Sequence, residues 1–212
     1  MIYFDVHTHK HVNQKNITAI ISSSLAEDEG FYSIGIHPWD VDKALNEQLN
    51  FVDSLAYKPN VLAIGEIGLD KICNTEFGKQ KEFFIEQLRI AQKHVKPVVV
   101  HCVKAYEEIL DLTKDFELPV IIHGFNKGYE LAKQLTDRGY FLSFGKSILD
   151  ESSKSVTAFK EMRLNRIFLE TDEAEVPIED IYERAAKIKG IELKVISEQI
   201  ENNFRKVFNG YK

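Results

Sequence analysis

Six residues of this chain carry the atoms that hold metal ions and share a place in the pattern, each standing at or just beyond the end of a short, β-rich apolar run. His7 and His9 follow IYFDV, Glu66 closes VLAIGE, His101 closes VVVH, His123 closes VIIH, and Asp172 comes just after RIFLE. If the first strand runs on past Val6, His7 and His9 leave it on one face, because side chains alternate with a period of two. They can then share one ion. Mixed imidazole and carboxylate ligands suit Zn, Mn or Fe and accept Mg where carboxylate predominates. Such ions acidify water and polarise the phosphoryl or carbonyl oxygen that the water attacks. Asp172 is the candidate to orient that water and carry its proton.

Residues so far apart in sequence need a scaffold that brings strand ends together. Runs of strand character occur at 2–6, 17–22, 31–36, 61–66, 98–101, 120–123, 140–144 and 166–170, several of them apolar on both pleat faces. Between the later runs lie segments of helical period: 77–94, 106–116, 129–138 and 152–163. Strand and helix in alternation imply parallel crossovers, and this number of them predicts an α/β fold, a (β/α)8 TIM-type barrel in one domain spanning residues 1–212. In such barrels the chemistry sits where the strands end, which is where the six residues fall. The connections after strands one and two are too short for full helices. Val195, Ile196, Ile200, Phe204, Val207 and Phe208 form an apolar stripe near the end of the chain. That helix is expected to cover the seam beside strand one, with a second copy of the chain closing any patch left bare.

Several stretches resemble, in order, the TatD-family metal-dependent hydrolases: HTH at 7–9, GIHPW at 35–39, AIGEIGLD at 63–70, QKEFFIEQLRIAQKHVKPVVVHC at 80–102, VIIHGF at 120–125 and FLETDE at 168–173. The resemblance implies two divalent cations (Zn, Mg or Mn). His7, His9 and Asp172 would hold one, His101 and His123 the other, and Glu66 would bridge them, which makes Glu66 a catalytic candidate beside Asp172. Against two carboxylates and a hydroxide, two such ions keep about one positive charge and favour an anionic substrate. The implied activity is a deoxyribonuclease acting on single-stranded DNA or on ends. The alternative is hydrolysis of a small lactone, amide or phosphoester by the same ions, and a scaffold that has lost catalysis fits the complete ligand set worst.

The chain departs from the family pattern at three places. Lys10 follows HxH where an apolar residue is usual, Lys71 replaces an aromatic, and Val103 stands where an Arg often grips phosphate. Lys104 is the candidate to replace that Arg as a point charge, and His37, in GIHPW, is the candidate to touch substrate or support the ligands. Glu170 is expected to support them too. His11 and His94 are expected to stay outside the site, His94 in a helix tail where a cation suits the dipole.

With 212 residues, 44% of them hydrophobic, the chain can bury one sizeable core. A formal charge of −6 argues against broad, sequence-blind binding of nucleic acid. Cys73 and Cys102 form no CxxC and are expected to be free thiols. Without a cationic, apolar leader or a run of the roughly 18 apolar residues a membrane span requires, a soluble, cytoplasmic protein is expected.

Overall fold

The computed structural model describes residues 1–44 and 46–208. The strands follow chain order from β1 to β8, as the (β/α)8 class requires. They are β1 (Tyr3–Thr8), β2 (Ile17–Ser23), β3 (Phe31–Ile34), β4 (Val61–Asp70), β5 (Val98–Val103), β6 (Val120–Ile122), β7 (Phe141–Phe144) and β8 (Ile167–Leu169). No helix separates β1 from β2 or β2 from β3, in line with the short connections. The chain divides into two compact units, one made of Met1–Ile21 and Ile121–Lys212, the other of Ser22–Val120.

In the first, discontinuous unit, β1 pairs in parallel with β2, and β7 pairs with both β6 and β8. The end of the chain meets its beginning here. Thr8 and Asp172 form a parallel bridge, and the Asp172 amide donates to the His7 carbonyl at 2.9 Å. Helices α4 (Tyr129–Asp137), α5 (Lys154–Glu161), α6 (Ile178–Lys189) and α7 (Leu193–Val207) belong to this unit. The terminal helix does cover strand one: the rings of Phe204 and Phe4 lie 4.6 Å apart, and the Ser197 hydroxyl donates to the Ile2 carbonyl. Ile196, Ile200, Phe204, Val207 and Phe208 are buried, whereas Val195, expected in the same stripe, is 45% exposed. α6 shares the task. The Tyr182 hydroxyl accepts from the Phe4 amide and donates to the Phe4 carbonyl, both at 3.0 Å, satisfying backbone groups at that point of β1.

In the second unit, β4 pairs in parallel with β3 and β5. Its helices are α1 (Asn46–Leu55), α2 (Phe77–His94) and α3 (Tyr106–Leu112). α1 has no counterpart among the helical segments legible in the sequence. Of its apolar residues and those just beyond its end, Val52 and Ala56 are buried, while Phe51 is exposed. α2 begins at Glu76, whose carboxylate accepts from the Gly78 and Lys79 amides. One face of α2 carries Phe83, Phe84, Leu88 and Ala91 into the core. The same helix buries two glutamines seven positions apart. Gln80 pairs with the amide and carbonyl of Asp70, and Gln87 with those of Ile36, so two side-chain amides lock the chain just where β4 ends and where it leaves β3.

Candidate metal and catalytic site

The discontinuous unit gathers His7, His123 and Asp172, with one ligand atom from each lying within 4.8 Å of the others. His7 is fully buried near the end of β1, and its ring lies 4.2 Å from that of His123, which follows β6. Asp172 is held by backbone pairing to β1. Its Oδ1 stands 3.6 Å from His7 Nε2 and 3.5 Å from His9 Nε2, so one carboxylate oxygen faces both histidines of the HxH. His9 lies one residue beyond the strand, and its amide donates to the Asp172 carbonyl at 3.4 Å. Asp172 has φ 54°, the left-handed region that Asp tolerates better than most side chains and that recurs at functional sites.

Two further carboxylates lie behind this cluster. Glu170, fully buried, takes the Gly124 amide on Oε1 at 2.6 Å, and the same oxygen is 3.6 Å from His123 Nδ1. Gly124 has φ 59°, which lets the chain turn just after His123 and aim its amide at that oxygen. Asp5 accepts from the Thr171 amide at 3.0 Å and from the Thr171 hydroxyl at 2.6 Å. Burial outweighs those bonds and pushes its carboxyl up to about 7, with the charge of Glu170 adding to the rise.

The second unit gathers His37, Glu66 and His101 under the same 4.8 Å limit. Glu66 Oε1 lies 3.1 Å from His37 Nε2 and 2.8 Å from His101 Nδ1. The Trp39 amide donates to His37 Nδ1 at 3.2 Å, so His37 carries its proton on Nε2 and donates it to Glu66. His37 therefore orients the carboxylate. Gly68 brings β5 close enough: it has φ 149°, and a Cβ there would lie 2.0 Å from the His101 carbonyl oxygen.

Lys104 is exposed, with φ 54°, just after β5. Lys127 and Lys146 are exposed as well. Lys71 pairs with Glu108, and Lys10 with Glu175 and the Ala174 carbonyl, so both departures from the pattern are tied to neighbours. Trp39 is 57% exposed, while Tyr32 and Phe125 are buried in the core. His11 is exposed, and His94 sits at the end of α2 with Nε2 2.7 Å from Asp53 Oδ1. Cys73 and Cys102 are not joined in a disulfide. Sequence reasoning missed Asp5, Trp39, Asp70 and Gln80 as supports. Asp5 and Asp70 carried a signal, since each is an acidic residue on a strand that bears a ligand.

The donors fit divalent cations. Imidazole nitrogens and carboxylate oxygens cluster at a spacing that ligands of one ion adopt, and His7, Glu66 and His123 are nearly removed from solvent, where unshielded carboxylates call for a cation.

The family model for TatD related DNase matches residues 4–209. The metal-dependent hydrolase BU355 of Buchnera aphidicola is 30% identical over 203 residues, 84% of this chain and 77% of the relative. Among solved structures, YjjV, a TatD homologue from Escherichia coli K12, superposes with a TM-score of 0.88 at 20% identity over 98% of both chains. A TatD-family hydrolase from Entamoeba histolytica gives a TM-score of 0.80 at 17% identity over 99% of both. No described helix is long and apolar enough to cross a membrane.

Proposed function

We propose that this chain, which belongs to the TatD-related DNase family of metal-dependent hydrolases, cleaves phosphodiester bonds in DNA, acting on single strands or ends. The observation that carries the reading is the pair of histidine–carboxylate clusters, one in each unit, at the ends of parallel strands. As the family resemblance implies, His7, His9 and Asp172 would hold one ion and His101 and His123 the other. The family resemblance supports Glu66 as a ligand shared by both ions and His123 as the partner of His101.

Bound divalent cations, as Zn, Mn or Mg, supply a Lewis acid and lower the pKa of water towards neutrality. The protein's own groups do the rest. His37 keeps Glu66 turned towards His101 by donating from Nε2. Asp172, 41% exposed and fixed by its backbone, would accept the proton of the attacking water on a carboxylate oxygen and release it to solvent. Lys104 offers one cation for a phosphate where the family often has an Arg, and it binds as a point charge without a bidentate fork. Trp39 offers an exposed face on which a base can stack. A second copy of the chain over Met1, Ile2, Ile191 and Val195, all exposed apolar residues of the first unit, completes the proposal.

A panel of single-stranded DNA, duplex DNA, RNA, simple phosphodiesters and lactones, each with Mg, Mn and Zn, tests it. Cleavage of single-stranded DNA should be fastest and should fall steeply with salt, because each phosphate contact releases counterions. A lactone or amide turned over far faster than any phosphodiester would replace this reading with a small-substrate hydrolase.

A further inference from the structure

Asp70, the last residue of GEIGLD and of β4, has no place in the ligand set, yet it is 3% exposed and held from several sides. Its Oδ2 accepts the Trp39 indole N–H at 2.7 Å and lies 3.5 Å from His101 Nε2. Oδ1 accepts the Ile72 amide at 2.8 Å. Gln80 grips the backbone, accepting from the Asp70 amide and donating to its carbonyl. The His101 ring thus has a carboxylate at each nitrogen, Glu66 at Nδ1 and Asp70 at Nε2. An ionised carboxylate only accepts, so an imidazole nitrogen that faces one must bring the proton. Asp70 is locked in place by bonds that do not involve His101. Glu66 offers a second oxygen and belongs to the set that meets a cation.

We infer that Asp70 is a positioning residue that sets the tautomer of His101, keeping the proton on Nε2 so that Nδ1 is presented to a divalent ion. The inference rests on the metal-hydrolase reading above. Carboxylates behind metal-bound histidines act in this way in many sites, and their loss weakens the metal without removing a ligand. Trp39 links the two imidazoles of this unit. Its backbone amide holds the proton of His37 on Nε2, and its indole N–H holds Asp70 Oδ2 at the place His101 needs it.

Asp70→Asn separates this role from a purely structural one. The amide fills the same space but must set an NH2 group either against the Trp39 and His101 side or against the Ile72 amide. In the first case it offers a donor to Nε2 and reverses the tautomer, and in the second it loosens the β4 end. The probe is zinc alone. Competition with a chromophoric chelator should show zinc affinity of Asp70→Asn lowered by about 10- to 100-fold. Trp39→Phe, which keeps the carboxylate and removes one donor, should lower it less.

A second measurement needs no variant. With nitrogen-15 in the imidazole rings, the zinc-loaded wild-type chain should show His101 coordinated through Nδ1 with a slowly exchanging proton on Nε2. Coordination through Nε2, or unchanged zinc affinity in a folded Asp70→Asn, would overturn the inference and leave the metal-hydrolase reading standing. A wild-type chain that takes up no zinc, manganese or magnesium would overturn that reading and this inference together.

Discussion

The two units hold their histidines by different means. In the discontinuous unit the backbone does the placing: Asp172 bonds to the chain at His7 and His9, and the Thr8 bridge fixes the register of β1 against the segment after β8. In the continuous unit side chains do it, through His37 on Glu66, Trp39 on Asp70 and Gln80 on the backbone of Asp70. A site set by register tolerates a change of side chain without losing its shape. A site set by rotamers loses shape when any support is trimmed.

The largest expected effect lies in the register-held cluster. Asp172→Asn keeps the backbone pairing, so circular dichroism and melting temperature should change little while hydrolysis falls by about 100- to 10,000-fold, the usual range for a lost acid–base group. A variant that unfolds would show that the carboxylate, not the backbone, holds this half together.

Next in size is the cover over β1. Phe204→Ala should destabilise the chain by about 3 to 5 kcal/mol in urea unfolding, the typical result of emptying a buried aromatic site. Deleting residues from 193 onward, the last four of which lie outside the described residues, should lower the melting temperature further and reduce metal content. Unchanged melting would mean that α7 covers nothing of consequence.

The rotamer-held cluster is sharpened by Gln80→Ala. It strands the Asp70 amide and carbonyl at a buried strand end and should cost about 1 to 3 kcal/mol, accompanied by weaker zinc binding. If stability falls and zinc affinity does not, the strand end and the ligands are independent.

The smallest effect concerns acid. The Lys93 ammonium, then His94, hold the Asp53 carboxyl below its ordinary value of 3.8, and burial opposes them only in part. A carboxyl depressed on folding stabilises the native state fully above its unfolded pKa and ceases to do so as pH falls through the folded one. Asp53→Asn should therefore lower stability at neutral pH, with the difference from the wild-type chain closing as pH falls below about 3.8, as read by chemical unfolding at several pH values. An equal change at neutral and acid pH would point to packing between α1 and α2 instead.

Much of this was legible in the residues. The strands fell where β-rich runs stood, because apolar pleat faces mark them, and α2 matched its helical period from Phe77 to His94. α1 was missed, although Leu49, Val52 and Ala56 recur at helical spacing with Val52 and Ala56 buried. His37 was placed beside the ligands by its strand-end position, but its tautomer depends on the Trp39 amide, which no spacing reveals. Asp70 and Gln80 could not be assigned tasks because their partners lie on different elements, and a buried glutamine on a helix face looks in sequence like a surface residue. Phe125, in the VIIHGF stretch, is enclosed by Phe144 at 5.5 Å, which the sequence pattern does not show.

The chain crosses its own length to complete the register-held half. Thr171 reaches Asp5 across 166 positions and Tyr182 reaches Phe4 across 178, while the residues of the other unit run unbroken from Ser22 to Val120. On a ribosome, His7 and His9 emerge long before Asp172 and the helices that follow it, and must wait for those partners. Strand β1 must wait in solution, with its apolar face bare, until α6 and α7 have been made. Contacts so distant in sequence slow folding and prolong the exposure of unpaired strand. Chains arrested before Leu193 should therefore be captured by a holding chaperone or aggregate through β1, and release of the full-length chain should end that capture. Arrested chains that already protect residues 3–8 from hydrogen exchange would show that the strand does not wait.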